Sequence, residues 1–490
     1  MTSSKSTKRA LITSALAILM CAAMLIGATF AWFTDTASTG VNKIVSGNLK
    51  VDIIGADSDS HIEKLNFTKA ATTDAEAGAE ILWEPGCRYL TEGFRIANKG
   101  NLALKWKAQV NTGTTAANEG NFDLLDVIDF YLVTKAADGT ETETALDEFT
   151  GNLKKTETSD VYYIKGVMQT TAGNDYQGLT LDGISITVVA TQDTVESDSF
   201  NNQYDKDAEY PILVTTGDEL QAIVSNATAP VNIVLTNSIT TNNFVIPADK
   251  DVTLDLNGRT VTNAGSHTIL NKGHLTLTDS SADKSGQIIS LKGNTAALRN
   301  GDNAVCVVEG GTISRDGANG NTWHVVENFG KMTFNGGKVV LKNGNGFAIT
   351  NGWNYFDPGA STTHAVMEIN ALELDTDSSG IKNCRYGDLT VNDVTVTSTG
   401  YWALSNDYLG TAVINGGTLT SNSFKAVSNG AAMTVNGGTF DGTEGFVVQS
   451  YATSTVLNGG TFANMNVDVL ASYVGTGHTA QQSGTSVIIK

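Results

Sequence analysis

Val413-Ile414-Asn415-Gly416-Gly417-Thr418-Leu419 is followed by Val435-Asn436-Gly437-Gly438-Thr439-Phe440 and then by Leu457-Asn458-Gly459-Gly460-Thr461-Phe462. An apolar residue, Asn-Gly-Gly-Thr and another apolar residue return about every 22 positions. More diverged copies read Leu256-Asn257-Gly258, Glu309-Gly310-Gly311-Thr312 and Asn335-Gly336-Gly337. Anchored on the Asn, the series runs Asn257, Asp279, Glu309, Asn335, Asn370, Asn392, Asn415, Asn436 and Asn458. A second series, apolar-x-Asn, runs Asn271, Asn300, Asn328, Asn351, Asn383, Asn406 and Asn429, with Ser450 in the last copy. From Asn370 onward the offset between the two series is 13, then 14 in each of three copies. Two positions keeping step at this period mark a solenoid, in which each repeat buries its apolar face only against its neighbours.

The residue types explain the repeat. Sharp bends between short strands need left-handed backbone, which Gly adopts at little steric cost and Asn tolerates. Stacked Asn side chains also hydrogen-bond from one turn to the next, and the Val, Ile, Leu, Phe and Ala between them stack inward. This predicts a parallel β-helix over residues 206–490, of about nine to ten turns and on the order of 45 Å long at ~4.8 Å per turn. Thr216 to Val224 reads as a short helix ahead of the first turn. The register places Cys306 and Cys384 three turns apart, roughly 14 Å, so both are expected as free, buried thiols.

Composition agrees with an all-β chain. Its 490 residues include 50 Gly but only 5 Pro, with a net charge of −20. That acidity opposes nucleic acid as a partner, because phosphate binding needs a basic face. At 41 % apolar and 17 % charged residues, the chain is not of disordered composition.

Residues 1–31 carry Lys5, Lys8 and Arg9 and then an apolar run, the parts of a secretory signal peptide cut before Trp32. The run is also long enough to stay as a membrane anchor. Residues 32–205 read as short strands broken by turns: Val45 to Ile53, the turn Trp83-Glu84-Pro85-Gly86, Phe94 to Val110, and Ile184 to Gln192. Phe94 to Val110 reads as an antiparallel hairpin around Asn98 to Asn101, and the whole stretch as a β-sandwich.

Ala28-Thr29-Phe30-Ala31-Trp32-Phe33-Thr34-Asp35, Ser46-Gly47-Asn48-Leu49, the Pro85-Gly86 turn, Asn98-Lys99-Gly100-Asn101-Leu102-Ala103 and Asn174-Asp175-Tyr176-Gln177-Gly178 resemble the TasA/camelysin family. The resemblance covers roughly residues 8–200. It implies a jelly-roll-like sandwich, a Gram-positive surface location, processing by a SipW-type signal peptidase, and assembly of matrix fibres by donation of an N-terminal strand. Trp32, Phe33, Val41, Ile44 and Val45 are the positions carried over to that donated strand. The repeats of residues 206–490 resemble right-handed, pectate-lyase-like β-helices, a likeness of architecture and not of activity.

Site candidates follow. The longest gap in the repeat holds Trp353, Tyr355 and Phe356, with Tyr386, Tyr401 and Trp402 in nearby turns. Exposed aromatics of this kind suit stacking on sugar rings or contact with a protein. Camelysin-like members are sometimes classed as metallopeptidases, but the six His include no His-Glu-x-x-His pair. A polysaccharide lyase would need carboxylates for Ca²⁺ and a cation to take a proton. Asp375, Asp377, Asp388, Asp393 and Arg385 are there by density only. The expected protein is therefore a secreted structural or adhesive one, without a cofactor, touching membrane only through its signal segment; a secreted lyase-like enzyme is the alternative.

Overall fold

In a computed structural model the described residues are 48–62, 65–68, 81–111, 114–115, 122–146, 149–182, 185–193, 209–317, 323–353 and 364–490. The expected signal segment, the donated strand from Trp32 to Val45, the linker from Glu196 to Ala208, and Tyr355 and Phe356 lie outside them. Residues Asn48–Lys490 form one compact unit.

From Ile212 onward the chain is a β-solenoid of about ten turns. Its three parallel sheets hold eleven, twelve and nine strands, the twelve including a terminal antiparallel pair. The first sheet runs through Gly387–Val391, Thr411–Ile414, Ala432–Val435 and Ser454–Leu457. The second sheet runs through Thr395–Ser398, Thr418–Ser421 and Thr439–Asp441, and the third through Ser379–Asn383, Leu404–Asn406 and Val427–Asn429. Alternation along each strand sends one set of side chains inward, where Val396, Leu419 and Phe440 stack in register. The rings of Phe440 and Phe462 lie parallel with centroids 4.9 Å apart.

The two glycines of Asn-Gly-Gly do different work. The second has φ of +100° at Gly417, +109° at Gly438 and +116° at Gly460, a conformation L side chains resist. The first sits beneath the preceding turn: a Cβ at Gly416 would lie 2.8 Å from the Asn392 carbonyl oxygen, and one at Gly437 2.7 Å from that of Asn415.

Both ends of the solenoid are covered. Helix α1, Gly217–Asn226, closes the first turn with Leu220 and Val224 fully buried. Thr216 caps it, its hydroxyl accepting from the Glu219 N–H, while the Glu219 carboxylate accepts from the Thr215 N–H. At the far end Ser486–Ile489 pairs antiparallel with Gly460–Phe462, burying Val487 and Ile489, and Ala480–Ser483 pairs on its outer side.

The strands of residues 48–193 form a seven-stranded, a three-stranded and a two-stranded sheet, the first two facing each other around Phe94, Ile96, Leu104, Trp106 and Ile164. Here the hairpin reading needs correction. Phe94–Asn98 pairs with Val51–Gly55 in the seven-stranded sheet, whereas Leu104–Asn111 pairs with Ser185–Gln192 and Phe149–Leu153 in the three-stranded one. Asn98 to Asn101 is thus a crossing between layers. The buried Asn98 side chain holds it, donating to the carbonyls of Leu102, Leu153 and Lys154 and accepting from the Gly100 N–H. The apolar faces of the two strands then meet across the core and not side by side.

The three-stranded sheet leans on the solenoid. Val189 packs with Leu213, Val234 and Tyr210, the Asn111 amide donates to the Thr236 carbonyl, and Arg259 donates to the Ser185 hydroxyl at 2.9 Å.

Candidate functional site

The third sheet and its two bordering corners carry rows of polar and aromatic side chains. Its inward Asn positions form a buried stack. Asn271 donates to Asn300, Asn300 to Asn328, Asn328 to Asn351, Asn351 to Asn383, Asn383 to Asn406, and Asn406 to Asn429, at 2.8–2.9 Å. Each amide also bonds main chain. Asn328, for example, donates to the carbonyls of Gly330 and Val366 and accepts from the Gly330 N–H. The stack ends at Asn429, which donates to the Thr455 hydroxyl. Ser450 is not its next member, because Val448 pairs with Asn429 and Ser450 lies exposed beyond the strand.

The other series stacks on the solvent side of the corner between the first and second sheets. Asn335 donates to the Glu309 carboxylate, and Asn370, Asn392, Asn415, Asn436 and Asn458 each donate to the member before, at 2.7–2.9 Å. A carboxylate only accepts, so Glu309 sets the direction of every amide above it. Asp279 departs from the series: it is buried and accepts from the N–H groups of Gly258 and Gly286. Asn257 donates instead to the Leu235 carbonyl.

On the outer face of the third sheet, register aligns Arg299, Glu327, Thr350, Lys382, Ser405 and Ser428. Arg299 pairs with Glu327 at 3.0 Å, and the Trp323 indole N–H donates to the other carboxylate oxygen. Burial raises the Glu327 carboxyl above its ordinary range, with Arg299 acting against the shift. Lys382 pairs with Asp407 at 3.1 Å and lies over the Phe347 ring.

The corner leading back to the first sheet is aromatic. Phe329 and Trp353 lie 4.7 Å apart, the Arg299 guanidinium lies over Phe329, and the Arg385 guanidinium over Tyr408. Trp353 bridges the Arg385 backbone, and Tyr451 lies against Gly430, where a Cβ would come within 2.6 Å of the ring. Tyr386 stands near His364, which bonds Asp388 at 2.9 Å. Tyr386 and Leu409 have φ of +57° and +62° in successive turns, left-handed backbone that bulky residues rarely adopt. Such strain gathers at functional positions and costs on the order of 1–3 kcal/mol. Leu409→Asn is therefore expected to raise stability by about 1 kcal/mol, read as a higher urea midpoint.

Of the sequence candidates, Trp353 and Tyr386 lie on this corner. Tyr401 and Trp402 lie on the opposite one, between the second and third sheets, where both rings pack edge-on against Phe424. The structure thus divides the set in two. Phe329, Tyr408 and Tyr451 are added to the first corner; the bends that hold them vary from copy to copy, so no period points to them.

A third polar seam lies inside the corner between the second and third sheets. Arg315 is buried there and donates to the Ser290 hydroxyl and to the carbonyls of Thr295 and Lys292. Burial lowers its guanidinium to about 10. His267 and His324 accept main-chain N–H groups of Ala296 and Phe347 at Nδ1, and burial lowers both imidazoles to about 4. Cys306 and Cys384 are free thiols that burial pushes up to about 12. Neither is a nucleophile at neutral pH.

The acidic candidates are dispersed. Asp375 pairs with Lys342, Asp377 accepts the Asn343 N–H, and Asp388 holds His364. Among the described residues no group of three His, Cys, Asp or Glu stands close enough to hold a metal ion. An open depression of about 390 Å³ lies on the other side of the solenoid, by Asp279, Lys284, Glu309, Lys338 and Glu373. Its charges are already engaged, Lys338 with Glu373, Lys284 with the Asp279 carbonyl, and Glu309 with Asn335. No family model, curated protein or solved structure matches this chain.

Proposed function

We propose that this is a secreted surface or matrix protein of a Gram-positive bacterium, structural and adhesive, whose solenoid holds an extended glycan along its aromatic corner. The observation that carries the reading is the row Phe329, Trp353, Tyr408 and Tyr451 with Arg299 and Arg385 set over its rings. Aromatic faces bind the apolar faces of sugar rings, and the neighbouring ion pairs offer hydrogen bonds to hydroxyls. The amide stacks hold the row rigid, which lowers the ordering cost of binding. The resemblance to TasA/camelysin sequences supports export through a SipW-type peptidase and assembly by donation of the strand from Trp32 to Val45. The scattered, paired carboxylates give a lyase reading no support.

Two measurements test this. Affinity electrophoresis of the full chain in gels of candidate polysaccharides should show retardation, weakened about tenfold by combining Trp353→Ala with Tyr408→Ala. Unchanged mobility of that variant in a gel that retards the parent would sink the glycan site. Electron microscopy of protein beginning at Trp32, beside protein beginning at Gly47, should show filaments only for the longer form; monomers from both would remove strand donation.

A further inference from the structure

The chain contains eleven Asn-Gly pairs, the dipeptide most prone to deamidation because Gly leaves its own amide nitrogen unhindered. Ten have a described Asn. In the outer stack, Asn335, Asn415, Asn436 and Asn458 are held by neighbours through their carboxamides. In the inner stack, Asn300, Asn351 and Asn429 are held and fully buried. Asn257 donates to the Leu235 carbonyl, and Asn343 to the Asp316 carboxylate. Asn345 differs: it is exposed on a bend, and its carboxamide has no hydrogen-bond partner among the described residues.

We propose that Asn345 is a site of spontaneous deamidation and isoaspartate formation, and that the amide stacks shield the seven Asn-Gly bonds within them from the same reaction. The Gly346 amide nitrogen gives its proton to a base and attacks Cγ of Asn345. The Cγ–Nδ2 bond breaks, ammonia leaves carrying a proton, and a cyclic imide remains. Water then opens either imide carbonyl, giving aspartate or, with the main chain rerouted through Cβ, isoaspartate. For the reaction to start, the carboxamide must swing onto its own main chain. A stacked Asn must first break its side-chain bonds to do so, whereas Asn345 has none to break. Two bonds per rung correspond to roughly thirtyfold slower reaction.

The site adjoins the third-sheet face. A Cβ at Gly346 would lie 2.6 Å from the Trp323 carbonyl oxygen, and the Gly346 carbonyl accepts from the Ser378 hydroxyl. The next residue, Phe347, donates its N–H to His324 and carries Lys382 over its ring. An added main-chain methylene at 345 would therefore displace the start of the strand Phe347–Asn351.

The full-length protein would be incubated in warm, mildly alkaline buffer and its peptides followed by mass spectrometry, resolving aspartate from isoaspartate. A parallel sample would be incubated in denaturant. Asn345 should convert about thirtyfold faster than Asn335, Asn415 and Asn436 in the folded protein, and at a similar rate to them in denaturant. Asn415→Ala, which removes the acceptor of Asn436, should bring Asn436 toward the rate of Asn345. Equal rates at Asn345 and the stacked residues in the folded protein would overturn the proposal, as would an Asn436 rate unmoved by Asn415→Ala. The Asn319-Gly320 peptide, outside the described residues, is scored separately.

Discussion

Replacing Asn328 by leucine is expected to cost about 4–6 kcal/mol of stability. Leucine keeps the volume but removes five hydrogen bonds at once: two with Asn300 and Asn351, two with the Gly330 main chain, and one to the Val366 carbonyl. The site is fully buried, so water cannot replace them. Asn328→Asp is the sharper variant, because it is nearly isosteric yet its carboxylate cannot donate. By contrast Asn415→Ala, on the solvent side, removes two amide contacts and leaves partners that water can reach, and should cost about 2 kcal/mol. Urea unfolding of the three variants reads the contrast directly. Equal midpoints for Asn328→Leu and Asn415→Ala would mean that the inner stack is ornamental to stability.

Acid should loosen the solenoid before the carboxylates titrate. His267 and His324 fall from an ordinary 6.5 to about 4 on folding, first because they are buried; nearby cations, Arg299 and Arg315 for His267 and Lys382 and Arg315 for His324, add to the shift. Each also accepts a main-chain N–H at Nδ1, a bond an imidazolium has no lone pair to keep. Between those values the unfolded chain binds the proton and the folded chain does not. The stability is therefore present above pH 6.5 and drains away as pH falls toward about 4. Roughly 3 kcal/mol is at stake for each imidazole. Glu327, raised by burial, acts in the opposite sense over part of the range. Thermal unfolding followed from pH 7 downward should show the loss, and His324→Gln, whose amide oxygen can still accept from Phe347, should flatten it. An unchanged slope in that variant would assign the acid sensitivity elsewhere.

Much of the solenoid was legible because a stacked polar side chain must recur at one place in every turn, and a bend that admits only glycine must recur beside it. Asn383, Asn406 and Asn429 on one side, and Asn392, Asn415 and Asn436 on the other, declare both the period and the corners. The same regularity misleads at its end, where a constant offset points to Ser450 although the bend after Val448 has changed. The aromatic corner was harder to see. Its bends differ in length, and two of its left-handed positions hold Tyr386 and Leu409, where turn chemistry favours Gly or Asn. Arg315 was hidden because alternation sends it into the interior, where charged residues are not expected. In the sandwich, Phe94 to Val110 has the pattern of a hairpin, and only the bonding of Asn98 distinguishes a layer crossing from a turn.

The closed ends of the solenoid make its length a whole number. Helix α1 packs over the first turn, and the strand Ser486–Ile489 turns antiparallel on the last strand of the second sheet, so that sheet ends without a parallel template for another turn. Reach along the axis can then change only by inserting or deleting one complete repeat, a step of ~4.8 Å. Such a molecule is a ruler with fixed graduations: gene duplication within the repeat would lengthen it in equal increments while leaving the sandwich and both caps as they are.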